Sequence, residues 1–252
     1  MRPLHILFLL VSCVSSLSAQ SVLVTYARTE NIENQLKNAN IPDESMKREL
    51  AKDMGKPSYF TLLCTGSESL YKPAPAESQK EELGMPSSGG NIRVQTITIG
   101  MADGGTYKNR ETKEYISQRD ILGKLFLIKD TLPDFHWKIL PDTKKIGELQ
   151  CRKATTEYNG EKIEAWFAPE IPVFDGPEEF YGLPGLIIEL KKPDLNYAAV
   201  SIKHLDEISE VKPPTKGKPV SQQEYDKTLQ ERLKILMGGS SGSSSVIRIG
   251  GN

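Results

Sequence analysis

Short runs of apolar, β-branched and aromatic residues dominate this chain, some alternating with polar residues at period two, and predict strands. Ser21-Val22-Leu23-Val24-Thr25-Tyr26 is rich in β-branched residues and reads as the first. Further strands are read at 59–64, 91–98 (which alternates polar and apolar), 106–109, 111–116 and 121–128. Phe135, Trp137 and Ile139 then alternate, and strands follow at 151–157, 162–168, 186–190 and 197–204. Short strands with turn residues between them argue for an antiparallel sheet rather than alternating βαβ units. The stretch 73–91, rich in Pro, Ser, Gly and charge, reads as a surface loop.

Two segments carry helical spacing instead. Over 43–54, Met46, Leu50 and Met54 recur every four residues, with Pro42 before the first turn and Gly55 after the last. Over 222–237, Tyr225, Leu229, Leu233 and Leu236 share a side, and Ser221 with Glu224 forms the Ser-x-x-Glu capping box. The Lys/Pro-rich segment 212–219 predicts a stiff linker before that helix, which is expected to dock on the domain or on a partner. A flexible glycine/serine stretch (238–245) and a short edge strand (246–249) complete the tail.

Several strands are apolar on both faces. In 162–168, Ile163, Ala165 and Phe167 oppose Trp166; in 121–128, Ile121, Leu125 and Leu127 oppose Leu122, Phe126 and Ile128. Either a second layer covers both faces, or one face lines an apolar concavity.

The N-terminus has a basic start (Arg2), a short apolar run (6–11) and small residues ending at Ala19, the order of a cleavable signal peptide over residues 1–19. The run is too short for a spanning helix, which needs about 20 apolar residues. Leu10-Val11-Ser12-Cys13 offers a rival lipoprotein site at Cys13. Export to the periplasm or the exterior is therefore expected, with no transmembrane segment in the mature chain. Removing residues 1–19 removes Arg2 and takes the net charge from −1 to −2, which argues against a nucleic-acid binder. Two cysteines then remain, Cys64 and Cys151. They could pair in an oxidising compartment or stand as separate buried thiols.

The most distinctive stretch is Gly182-Leu183-Pro184-Gly185-Leu186-Ile187. Pro184 presets φ for the second position of a turn, and Gly185 suits the positive φ that a type II turn needs next. This hexapeptide resembles the signature of the GLPGLI family of exported Bacteroidota proteins. Upstream, Trp137-Lys138-Ile139, Cys151-Arg152-Lys153-Ala154, Ala165-Trp166-Phe167, Pro169-Glu170-Ile171-Pro172 and Gly176-Pro177 resemble the family's usual run. The resemblance covers the mature chain, most securely 137–190. It implies export and an activity that is not established. The chain also resembles the bowl-like N-terminal domain of certain bacterial peptide N-glycanases, which implies a curved antiparallel sheet. The expected fold is thus mainly β (α+β): a bowl or half-barrel over 20–211, one or two helices, and a tail over 212–252.

The chemistry-bearing residues are sparse. His136 and His204 each stand alone, without the clustered ligands a zinc site wants. No cofactor or metal is indicated, and no residue qualifies as catalytic. Cys151 lacks a local elbow for a nucleophile. Trp137, Trp166, Phe167 and Tyr181, with Phe135 and Phe180, are either core or an apolar recognition surface near Pro184. Glu170, Asp175, Glu178 and Glu179 crowd one loop. The expected function is a non-enzymatic binding or accessory role, with an envelope or outer-membrane protein or an apolar ligand as partner. The alternative is a hydrolase acting on peptide or glycan. It requires two of those carboxylates to converge in a cleft with shifted pKa.

Overall fold

The computed structural model describes residues 21–31, 45, 55–75, 99–206 and 210–238. Among them, twelve strands form one open, curled sheet. They are β1 (Ser21–Glu30), β2 (Ser58–Thr65), β3 (Glu68–Pro73), β4 (Ile99–Asn109), β5 (Glu114–Ile121) and β6 (Lys124–Thr131). After them come β7 (Lys138–Ile146), β8 (Leu149–Tyr158), β9 (Glu161–Ala168), β10 (Leu186–Lys191), β11 (Leu195–Leu205) and β12 (Lys218–Val220). The helix α1 spans Gln222–Gly238. The strand order is β12-β6-β5-β4-β3-β2-β1-β11-β10-β9-β8-β7. Two local meanders, β2 to β6 and β7 to β11, are joined by β1, which pairs antiparallel with both β2 and β11. The mainly β, curved-sheet expectation is met.

Differences from the expected elements have local causes. β3 was not expected; its alternation, Leu70 and Tyr71 on opposite faces, is only two apolar residues long. The single strand expected over 121–128 is broken, because Leu122 and Gly123 both take positive φ (58° and 79°). That is a two-residue hairpin turn of the kind whose twist suits antiparallel strands. Leu122 and Leu125 consequently stay exposed, while Phe126, Leu127 and Ile128 are buried on alternating sides. The segment 212–219 ends in β12, which pairs in parallel with β6. The signal peptide and Cys13, the strand over 91–98, the tail beyond 238 and the helix over 43–54 apart from Ser45 lie outside the described residues.

Apart from Leu122 and Leu125 at the hairpin, both faces of the sheet are covered where the sequence is apolar on both. The main core joins Val22, Val24 and Tyr26 of β1 to Phe60 and Leu62 of β2, Ile163, Ala165 and Phe167 of β9, and Leu186 and Leu190 of β10. A second cluster sets Phe126 and Ile128 under Tyr225, Leu229 and Leu233 of α1. Here Phe126 meets the Tyr225 ring edge-on at 5.9 Å. On the other face, Leu127 packs with Tyr107, Ile116 and Val211. The capping box forms: Glu224 N–H donates to Ser221 Oγ (3.2 Å), and Ser221 N–H donates to Glu224 Oε2 (2.9 Å). The docked helix thus rests on its own cap and on an aromatic-aliphatic contact with β6.

Of the two states the sequence leaves open for Cys64 and Cys151, separate buried thiols is the one seen. They lie on β2 and β8, five strand positions apart in the sheet order. Burial, with the Asp175 charge adding to it, pushes the Cys64 thiol well above its ordinary pKa. Burial pushes Cys151 up to about 11. Neither is poised as a nucleophile.

Candidate functional site

The connection between β9 and β10, residues 169–185, crosses the sheet as a plug. Its anchor is Asp175, wholly buried between two cations. Lys108 Nζ lies 2.5 Å from Asp175 Oδ1, and Arg110 Nη1 pairs with Oδ2. Lys108 is itself fully buried and also donates to the carbonyls of Gly176 (2.8 Å) and Phe180 (3.2 Å). Burial alone would raise the pKa of Asp175, but the adjacent Lys108 and Arg110 charges outweigh it and hold the carboxyl below its ordinary value. Backbone bonds continue the grip: Gly182 N–H to Phe174 O (3.1 Å), Leu186 N–H to Ile171 O (3.1 Å) and Ile187 N–H to Asp175 O (3.0 Å). The Tyr26 hydroxyl donates to Ile187 O at 2.6 Å.

The hexapeptide ends the plug. The expected type II turn is not made. Gly185 N–H donates to Leu183 O at 2.8 Å, closing a three-residue turn on Pro184. Gly185 has φ +149°, and a Cβ there would lie 2.2 Å from Ala168 O. The motif is therefore a corner pressed against the end of β9, with Leu183, Leu186 and Ile187 buried.

The aromatic residues split into separate groups. Phe135 is a hub, its ring centroid 5.0 Å from Phe180, 5.1 Å from Tyr158 and 5.7 Å from both Trp137 and Tyr181. Trp137 Nε1–H donates to Tyr181 O (2.9 Å), and the Tyr181 hydroxyl donates to Pro133 O (2.9 Å). Trp166 stands apart, under Lys144 (4.4 Å) and Lys153 (5.6 Å). Phe167 is wholly inside the core. Of the four residues singled out for binding, Trp137 and Tyr181 come together; Trp166 and Phe167 do not join them.

The acidic residues split as well. Glu170 is exposed and accepts a bond from Gln150 N–H (2.7 Å). Glu178 and Glu179 face a cleft of about 470 Å³ between the plug, the sheet and α1. Tyr115 and Arg119 of β5, Tyr158 of β8, and Tyr225 and Asp226 of α1 share its walls, with Asp130 of β6. Glu178 is 8% exposed and has positive φ (50°), a strained conformation for glutamate. Burial would raise its pKa, but the charges of Arg119, Lys192 and Arg28 hold it below the ordinary value. Burial raises Glu179 and the neighbouring Glu178 charge raises it further, beyond what Lys192 and Arg119 undo. Burial works against the Arg119 charge too, and Tyr115, Glu178, Tyr225 and Glu179 more than restore it. Glu178 also acts electrostatically on Tyr71 and Tyr197. Among the described residues their buried hydroxyls, and Arg28 Nε, lack a hydrogen-bond partner of normal geometry, although the Tyr197 hydroxyl lies close enough to Glu178 to lower its pKa.

Reading the sequence did not single out Arg119, Tyr115, Tyr158 or Tyr225. The first three look like ordinary strand residues, and Tyr225 reads as part of a helix stripe. His136 and His204 are exposed. Among the described residues, no three His, Cys, Asp or Glu side chains gather as a metal-holding set.

A family model described as a protein of unknown function (Porph_ging) matches residues 156–189, the stretch that carries the end of β8, β9, the plug and the start of β10. This uncharacterised family, rather than the GLPGLI name, is what the comparison supports. No curated protein matches the chain. Two solved structures of PNGF-II, in the P21 and C2 space groups, are similar in fold, with TM-scores of 0.53 and 0.52 at 14% and 15% identity. Each likeness covers 85% of this chain but only 34% and 33% of the PNGF-II chains, so this chain spans about a third of their length. At that identity the likeness concerns the fold alone. The likenesses thus extend to a curled β-sheet similar in fold to part of PNGF-II and to the match of residues 156–189 with the Porph_ging model.

Proposed function

We propose that this protein is an exported envelope protein with a binding or accessory role, and that its ligand sits in the cleft between the plug, the sheet and α1. The observation that carries the reading is the pair Glu178 and Glu179, withdrawn from bulk solvent beside Arg119 in a cleft that remains open. Burying carboxylates without direct ion pairs costs stability, and a ligand-binding site is where such a cost is retained. Four carboxylates, an arginine and three tyrosines line the cleft, which favours a polar ligand over an apolar one. Export follows from the signal-peptide pattern of residues 1–19.

Native mass spectrometry of the protein isolated gently from its own envelope tests this. A small-molecule adduct that is lost in Glu179→Gln is expected; a bare chain under the same conditions counts against a tightly held ligand. A co-isolated protein would move the reading to the accessory role.

One observation favours a second reading. Adjacent carboxyls whose pKa values are driven apart are the pattern of an acid and a base. Hydrolysis of a peptide or glycan would use Glu179 as proton donor and Glu178 as the ionised partner. Turnover of a peptide or glycan library that disappears in both Glu178→Gln and Glu179→Gln would establish it; no turnover by the folded wild-type protein would sink it.

A further inference from the structure

We infer that the ligand enters this cleft through a cationic group, an ammonium or guanidinium, held by Glu178 and Glu179 within a ring of tyrosines. The inference rests on the reading of the cleft as a binding site and adds the chemistry of what binds.

Three observations carry it. The cleft is acidic: Asp130, Glu178, Glu179 and Asp226 line it against a single guanidinium, Arg119. Such an excess in a low-dielectric recess focuses a negative potential towards the mouth. Its walls are aromatic, with Tyr115 and Tyr225 almost wholly buried and Tyr158 half-buried. Tyrosine rings attract cations through their electron-rich faces, and desolvation strengthens the attraction. The protein uses this contact with its own lysines, Lys113 over Tyr181 at 5.3 Å and Lys144 over Trp166 at 4.4 Å. Finally, Glu178 and Glu179 repel each other where they are, and among the described residues no cation lies within ion-pair distance of either. Arg119, Lys192 and Arg28 act on Glu178 from farther away.

A cation between the two carboxyls relieves that repulsion. It favours the ionised form of Glu179, so binding releases a proton as the pH falls towards the raised pKa of Glu179. The groups facing Glu179 are Glu178, Lys192, Arg119, Tyr115 and Tyr158. Of these, only Glu178 titrates in the same range, and its depressed pKa keeps it charged. Asp130 and Asp226 have narrower parts: Asp130 Oδ2 accepts from Gln222 N–H (3.3 Å), and Asp226 Oδ1 from Gln222 Nε2 (2.8 Å). They stabilise the start of α1 and add charge at the mouth.

The test titrates the full mature chain at low salt and neutral pH with three probes: N-acetyl-lysine methylamide, its uncharged norleucine analogue and its glutamate analogue. The readout is the NMR ring signals of Tyr115, Tyr158 and Tyr225. Only the lysine probe is expected to move them. Its affinity should fall about tenfold in Glu179→Gln, and it should also fall with added salt. Should Glu179→Gln fold poorly, Asp226→Asn on the exposed side of α1 is the second variant, with a smaller weakening expected. Equal shifts from the norleucine or glutamate probe would overturn the cationic inference and leave the binding cleft standing. Ring signals unmoved by all three probes would overturn both.

Discussion

Asp175 and Glu178 stand three residues apart on one plug, both buried, both carboxylates, both held below their ordinary pKa. They achieve this in different ways. Asp175 has each oxygen on a cation, Lys108 on one and Arg110 on the other. Among the described residues Glu178 has no ion pair within contact distance; its charge is favoured by Arg119, Lys192 and Arg28 acting from farther away. The first arrangement is closed and leaves no room for another molecule. The second leaves the carboxylate facing a cleft, with Glu179 protonated more easily than usual beside it. Both are buried carboxylates; direct pairing separates a structural anchor from a candidate site.

Breaking the anchor should have the largest effect. Asp175→Ala leaves Lys108 and Arg110 buried without a counter-charge, and removal of one partner from a buried pair costs about 3–5 kcal/mol. Urea unfolding read by tryptophan fluorescence would show it as a lower midpoint with unchanged slope. A loss below about 1 kcal/mol would mean that the plug is not held by this cluster.

Forcing the corner comes next. In Gly185→Ala the new Cβ meets Ala168 O and Pro169 Cα, both backbone-bound atoms that cannot swing away. A cost of about 1–3 kcal/mol is expected, visible in thermal unfolding and in faster exchange of the Leu186 and Ile187 amides. Ser221→Ala removes the cap of α1 and should cost about 1 kcal/mol, with exchange rising first at the Glu224 and Tyr225 amides.

The smallest effect, and the sharpest for the comparison, is on pH dependence. The Asp175 pKa is depressed on folding, so its stabilisation is present above the unfolded value and is lost as pH falls through the folded one. The Glu179 pKa is raised, so the stability linked to it is full below the unfolded value and is lost as pH rises through the folded one. Glu179→Gln should therefore raise the melting temperature slightly at neutral pH, and the gain should shrink as pH falls towards the ordinary glutamate range. A variant less stable than the wild type at neutral pH would show Glu179 to be paired after all, like Asp175.

Much of this architecture is local and could be seen without coordinates. Alternating residues such as Val22, Val24 and Tyr26 mark a strand wherever it ends up pairing, because the pleat sends every second side chain to the same face. Ser221 and Glu224 predict their own helix start, since both partners lie within one turn. Pro184-Gly185 announces a corner, although whether it closes as a four-residue or a three-residue turn depends on how closely β9 approaches. The hairpin at Leu122-Gly123 was missed because six of the eight residues over 121–128 are leucine, isoleucine or phenylalanine, and the apolar run hid the break.

The cleft belongs to a different level. Arg119 and Tyr158 become neighbours of Glu178 only because β1 pairs with both β2 and β11 and the sheet curls. That brings the β5 and β8 faces onto one plug, and α1 returns over β6 to close the wall. No local pattern marks such residues, since a strand arginine facing solvent and one facing a cleft have the same spacing. Periodicity, caps and turn chemistry act over a few residues and are written into the chain itself. The separation of Asp175 from Glu178 by their partners, the isolation of the two cysteines and the acidic tyrosine-walled recess arise from pairings across more than a hundred residues. They exist only once the sheet has closed, because only then are those charges taken out of water together.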